Sequence, residues 1–307
     1  MWRQSSKWTM TGLAIVSVAM LVTGSEAPVW GLPPGAENRP QDTGAALPAP
    51  EAPLPALPEP ATSFDGLDAR TRQAAADAAN SGATIDVVVL DRNTGQIVAN
   101  GANQPFPIAS VAKLFIADDL LLQVSRGETT LTAAERDSLD LMLRSSDDGA
   151  AQTFWDRGRG NAVISRIVAR YGLTGTTAPP NGHWDVTLST ASDLVRYYAK
   201  LLDGSGGLSP EQADVIMNNL AQSTPTGTDG YPQRFGIPEG LYAEPVAVKQ
   251  GWFCCWNGPN QLHVSTGAIG PDRRYIMAIS SLEPGDAAAA RNTITAAVRT
   301  MFPGGRV

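Results

Sequence analysis

Two serines and two lysines in this chain have the spacing of a proton-transfer centre. Ser110 and Lys113 stand three residues apart in Ser110-Val111-Ala112-Lys113, and Ser146-Asp147-Asp148 and Lys249-Gln250-Gly251 follow in order. On a helix a three-residue step puts both side chains on one face, so an amine at Lys113 can take the Ser110 hydroxyl proton and make a nucleophile toward an acyl carbon. The chain has four lysines against nineteen arginines, yet both motif positions that need an amine carry Lys. A guanidinium does not give up its proton in a protein, a desolvated ammonium does, and only the neutral amine acts as a general base.

Each position also fits an ordinary structural role. Pro105-Phe106-Pro107-Ile108-Ala109 leads into Ser110 and then a helical pattern. That places Ser110 at a helix N-terminus, where free backbone N–H groups favour a developing oxyanion but where serines are also common caps. Ser146 falls between the apolar run Leu139 to Leu143 and a helix starting near Asp148; its hydroxyl can relay a proton to a leaving group, cap that helix, or do both. Lys249 closes a Val-rich strand, and Gly251 after it lets the backbone approach a substrate closely. The Lys249 charge suits a substrate carboxylate, or else it guards a strand edge against aggregation.

Other chemistry-bearing residues carry less. Cys254 and Cys255 are the only cysteines and are adjacent. Export favours their oxidation, while neighbouring Cα atoms sit closer than the usual disulfide range, so a vicinal bridge and two free thiols both stay open. They make a poor metal site without further His or Cys nearby, and no metal or cofactor is expected. His183 and His263 are the only histidines. A Ser-His-Asp hydrolase is disfavoured, because no G-x-S-x-G turn exists and His263 falls within a strand pattern. Trp252, Phe253 and Trp256 either line a substrate groove or cover a sheet.

The elements that must position these residues are legible in outline. A helix is expected over 65–80, then a strand over Thr84–Leu90, the turn Asp91-Arg92-Asn93-Thr94-Gly95, and a return strand from Gln96 to Asn100. Helices follow near 110–125, 132–144, 148–156, 161–171, 189–203 and 209–220. Strands return over Glu244–Gln250, Gln261–Gly270 and Arg274–Leu282, before a closing Ala-rich helix over 286–302. The sheet is thus assembled from both ends of the chain. This pattern predicts an α/β sheet domain, an antiparallel sheet flanked by terminal helices, plus an all-helical insert, with a cleft between them. The sheet part is expected over about 64–109 and 231–303 and the insert over about 110–230.

The chain has 307 residues, a net charge of −7, a pI near 4.9 and no dense Lys/Arg run, which argues against nucleic acid as a partner. Residues 1–30 read as an export signal: Arg3 and Lys7, an apolar stretch from Leu13 to Val22, and a small-residue exit at Ser25-Glu26-Ala27. The stretch is short for a membrane span, and no Cys follows it that could take a lipid there. Residues 31–63 are Pro- and Ala-rich and are expected to be a disordered linker, a spacer between wall or membrane and the globular domain. The chain is therefore expected outside the cytoplasm, secreted or in the cell envelope, with transient membrane or wall association open.

In motif order and context the chain resembles the penicillin-recognising serine enzymes, the class A β-lactamases and D-Ala-D-Ala peptidases, whose pattern is S-x-x-K, S-D-N, K-T-G. The resemblance covers about residues 65–303 and includes Met142-Leu143-Arg144-Ser145 before the second motif and Arg234-Phe235-Gly236-Ile237-Pro238 before the third. It implies a β-lactamase/transpeptidase-like fold. By the same resemblance Ser110 is the nucleophile, Lys113 the general base, Ser146 the proton relay and Lys249 the carboxylate anchor, with Asp148, Gln250, Gly251 and Trp252 against the substrate. The backbone N–H groups of Ser110 and Trp252 would form the oxyanion hole.

Three departures temper what it implies. Asp148 stands where the family has Asn, and a carboxylate beside Lys113 would favour the ammonium. Gln250 replaces Thr or Ser. Tyr171 to Thr190 lacks the Glu-x-x-Leu-Asn with which β-lactamases activate water for deacylation, Asp185 being the only acid there. The expected function is an exported serine hydrolase acting on peptidoglycan peptides or another small amide or ester, with weak or no β-lactam hydrolysis. The alternatives are a catalytically impaired wall-binding or scaffold module and, third, a class A-like β-lactamase.

Overall fold

The computed structural model describes residues 64–307; the expected export signal and linker, residues 1–63, lie outside the described residues. The elements run α1 (Leu67–Asn80), β1 (Thr84–Asp91), β2 (Ile97–Ala99), β3 (Phe106–Pro107), α2 (Ala112–Ser125), α3 (Ala133–Arg144), α4 (Asp148–Arg157) and α5 (Ala162–Tyr171). They continue with β4 (Leu188–Ser189), α6 (Ala191–Asp203), α7 (Pro210–Ala221), the one-turn α8 (Ile237–Gly240), β5 (Val246–Trp256), β6 (Asn260–Ile269), β7 (Tyr275–Pro284) and α9 (Ala287–Met301).

Five strands form one sheet in the order β2-β1-β7-β6-β5, with every pairing antiparallel. The expectation of a sheet built from both chain ends therefore holds, with β1 and β7 joined along their full length from Thr84↔Leu282 to Asp91↔Tyr275. The apolar run of β1 reads as continuous rather than alternating because both sheet faces are covered. Val87 and Val89 pack with Met277, Ile279, Ile294 and Val298 under α1 and α9. Val88 faces the other way, into the core shared with the helical part.

Several helices start at side-chain caps that their sequence provides. Thr132 with Glu135 and Ser209 with Gln212 form reciprocal capping boxes on α3 and α7, and Asp286 accepts two backbone N–H groups at the start of α9. A buried polar knot fixes α2, the helix that carries Lys113. Asp118 on α2 bonds Arg170 and Tyr171 of α5 and, at 3.3 Å, Tyr197 of α6. Asp119 receives both forks of Arg166 at 2.7 and 2.6 Å.

Two expectations are corrected. The third-motif strand does not stop at Gln250 but continues to Trp256, because β6 pairs with it as far as Trp256↔Asn260, with a bulge between Cys254 and Trp256. Ser110 lies not at the first turn of an α-helix but in a 3-10 turn, Ala109–Val111, that leads into α2.

Candidate active site

The 3-10 turn enters through Ala109 at φ 46°, a left-handed conformation that costs an L-residue about 1–3 kcal/mol and is tolerated where packing over-determines it. What packs here is β5. An added Cβ on Gly251 would lie 2.6 Å from the Ile108 carbonyl oxygen and 3.2 Å from Ala109 Cβ, so only glycine lets the strand lie against the Ser110 turn. Ser110 and Lys113 are buried, and Lys113 Nζ donates to Ser110 Oγ at 2.8 Å. The same nitrogen reaches the Ser146 carbonyl oxygen at 2.7 Å, Ser146 Oγ at 3.0 Å and Asp148 Oδ1 at 2.6 Å.

Ser146 is also left-handed, at φ 58°, and the cap of α4 is Asp147, which accepts the Ala150 N–H at 2.7 Å. With capping done by its neighbour, the Ser146 hydroxyl is left to the two lysines. Lys249 Nζ donates to it at 2.8 Å, so one hydroxyl bridges two lysines. An ammonium at Lys113 has three protons for four nearby oxygens. A neutral amine there keeps two protons and offers its lone pair to one hydroxyl, which is the state that can accept the Ser110 proton.

The electrostatics shift Lys113 toward that state. Burial pushes Lys113 down from the ordinary lysine value, opposed by the hydrogen bond and charge of Asp148. Burial wins because Lys113 is fully enclosed, whereas the Asp148 side chain is 71% exposed and water screens its charge. The Trp184 ring, with its centroid 4.7 Å from Nζ, closes another side. Burial, and then the Lys113 charge, holds Lys249 well below the lysine range.

Ser110, Lys113, Ser146, Lys249 and Asp148 are thus brought together, with Gly251 against the Ser110 turn. Gln250 is not part of the cluster. Strand alternation turns its side chain to the opposite face, where it is buried and donates to the Gln233 and Phe235 carbonyl oxygens at 3.0 and 2.6 Å; a substrate role for its amide is corrected to the tethering of β5. The Trp252 indole likewise turns away from the Ser110 cluster and stacks on Tyr231 at 4.7 Å and 9°. Trp252 packs on the core beneath α9 and Phe253 on the helical core, so these aromatics cover the sheet. Cys254 and Cys255 are disulfide-bonded. His183 is exposed and His263 Nε2 lies 2.6 Å from the Tyr231 hydroxyl, so neither histidine joins Ser110.

Trp184 is a site residue that the sequence does not signal: it sits beside Asp185 in a segment without periodicity, and only the fold brings its ring to Lys113. Among the described residues no group of three or more His, Cys, Asp or Glu is placed to hold a metal.

Comparison with known proteins agrees with this fold. A protein from Mycobacterium tuberculosis named "Putative lipoprotein LppW" is 54% identical over 97% of this chain and 98% of its own length. Solved structures with the same fold include PBP-A, at TM-score 0.64 and 19% identity over 78% of this chain and 95% of that one. Another is a class A β-lactamase from Mycobacterium abscessus, at TM-score 0.58 and 20% identity over 76% of this chain and 98% of that one. A mutant of PBP-A is described as an acyl-enzyme complex with penicillin G. The model of the Beta-lactamase enzyme family matches residues 69–135 and 133–302, and the chain, with its serine and two lysines on the elements described above, belongs to that family.

Proposed function

We propose that this chain is an exported serine hydrolase of the D-Ala-D-Ala carboxypeptidase type, acting on cell-wall peptides through an acyl-enzyme on Ser110. The observation that carries this reading is the buried 2.8 Å contact between Ser110 Oγ and a Lys113 held below the lysine range. In the acylation step neutral Lys113 takes the Ser110 proton as Oγ bonds to the acyl carbon. The scissile C–N bond then breaks, and the leaving amine takes a proton from Ser146, which Lys249 or Lys113 restores. A water molecule later releases the acid and regenerates Ser110.

Hydrolysis of β-lactams is slow in this reading. Trp184 occupies one side of Lys113, and Asp185 is the only acid between Tyr171 and Thr190. The lipoprotein in the mycobacterial relative's name fits an envelope location, although here the only cysteines are Cys254 and Cys255. No described helix is long and apolar enough to cross a membrane.

One observation favours a second reading, a wall-binding module with impaired chemistry: the Asp148 carboxylate at 2.6 Å stabilises Lys113 in its useless protonated form. The two readings separate in two measurements on the protein and Ser110→Ala, intact-mass labelling by a penicillin and binding of a wall peptide. A reactive penicillin is incubated with the protein and with Ser110→Ala, and the intact masses are compared. A stoichiometric adduct on the wild type alone supports the enzyme; wall-peptide binding with no adduct, unchanged in Ser110→Ala, supports the module.

A further inference from the structure

On the outer side of α9, away from the Ser110 cluster, a groove of about 670 Å³ is lined by Arg234, Arg291 and Arg299 with Glu239, Asn292 and Thr300. Three guanidiniums against one carboxylate is a local excess of positive charge in a chain whose net charge is −7. The pairing within the groove leaves that excess uncompensated. Arg299 Nη2 donates to Glu239 Oε1 at 2.8 Å. Arg291 lies 5.0 Å over the Tyr231 ring, and among the described residues no carboxylate pairs with it or with Arg234. Like charges gathered around a single acid cost free energy in the empty protein, and a bound anion recovers it.

We propose that this groove is a binding site for a phosphoryl group. Guanidinium forks match phosphate and carboxylate alike, but a carboxylate has only two oxygens to set against the two guanidiniums without a carboxylate partner, Arg234 and Arg291, the Asn292 amide and the Thr300 hydroxyl. A phosphate ester offers more acceptors and more charge. The groove is also much larger than one phosphate, so the phosphate belongs to a larger molecule, a lipid headgroup or a phosphorylated glycan. The site is independent of the chemistry at Ser110.

The test titrates the full chain with inorganic phosphate by calorimetry at low ionic strength, beside vesicle sedimentation with and without phosphatidylinositol in phosphatidylcholine. The expected result is saturable phosphate binding with a Kd of about 1 mM that weakens with added salt. Binding falls at least about tenfold in the Arg234→Ala/Arg299→Ala double variant, which alters only exposed side chains. It is unchanged in Arg126→Ala, an exposed arginine paired with Glu128 elsewhere on the surface. Sedimentation with phosphatidylinositol vesicles that is lost in the double variant assigns the phosphate to a lipid. Phosphate binding without sedimentation assigns it to a soluble or wall-borne ester. No saturable binding up to about 10 mM phosphate, or equal binding by the double variant, overturns the proposal.

Discussion

Lys113 carries two opposed pressures on one nitrogen, and their balance decides whether Ser110 is a nucleophile. Burial favours the neutral amine and Asp148 the ammonium, with burial the larger influence. The rate of acylation should therefore rise with pH through a native Lys113 pKa that lies below the ordinary lysine value. Removing the carboxylate charge with Asp148→Asn should move that rising limb to lower pH and speed acylation near neutrality, read as the rate of covalent penicillin labelling across pH. A limb that stays in place would mean Asp148 does not restrain the base. Lys113→Met, which keeps the length without the amine, should slow labelling by about 10²–10⁴ while leaving the protein folded. Folding stability follows the same sign: between the depressed native pKa and the unfolded value near 10.4, the unfolded chain binds more protons, so stability rises with pH.

At the level of elements, the site depends on how closely β5 lies on the Ser110 turn, and Gly251 sets that distance. Gly251→Ala places a Cβ 2.6 Å from the Ile108 carbonyl oxygen. We expect an overpacking cost of about 1–3 kcal/mol and a loss of labelling by Ser110 larger than the loss of stability explains, measured by denaturant midpoint beside labelling rate. Gln250→Leu on the other face should cost about 1–3 kcal/mol, because the Gln233 and Phe235 carbonyl oxygens lose a buried donor. Labelling should change little if Gln250 only tethers the strand.

The sequence made much of this scale legible. The order of strands and helices, the sheet assembled from both chain ends, and the grouping of Ser110, Lys113, Ser146 and Lys249 are readable from period, turn residues and spacing. Which face a strand residue takes was not, since alternation assigns Gln250 and Trp252 to the far face only once Lys249 is known to point inward. Trp184 was invisible for a different reason: its 4.7 Å approach to Lys113 joins residues 71 positions apart through a loop without periodicity. The length of β5 depended on its pairing with β6, a non-local hydrogen-bond ladder that the Cys254-Cys255-Trp256 stretch does not announce.

Across the whole molecule the fold buries three nitrogen bases, Lys113 on α2, Lys249 on β5 and His263 on β6, and all three are pushed toward their neutral forms. They tilt the stability curve the same way, and His263 does so in the acid range. Burial, and then the Arg291 charge, brings His263 down to about 3. The ring is fully enclosed, with Nε2 against the Tyr231 hydroxyl at 2.6 Å and Nδ1 unpartnered in the β6 face that packs on Phe235. As pH falls below the unfolded value near 6.5, the unfolded chain takes up a proton that the native chain refuses. Native stability therefore declines by up to about 1.4 kcal/mol per pH unit until the native pKa is reached. His263→Gln keeps a side chain able to bond Tyr231 but cannot titrate, so it should lower stability at neutral pH while flattening the slope between about pH 6 and 3. Urea unfolding of both proteins at several pH values in that window measures the slopes. Parallel curves would assign the acid sensitivity to carboxylates and leave the buried imidazole a packing group alone.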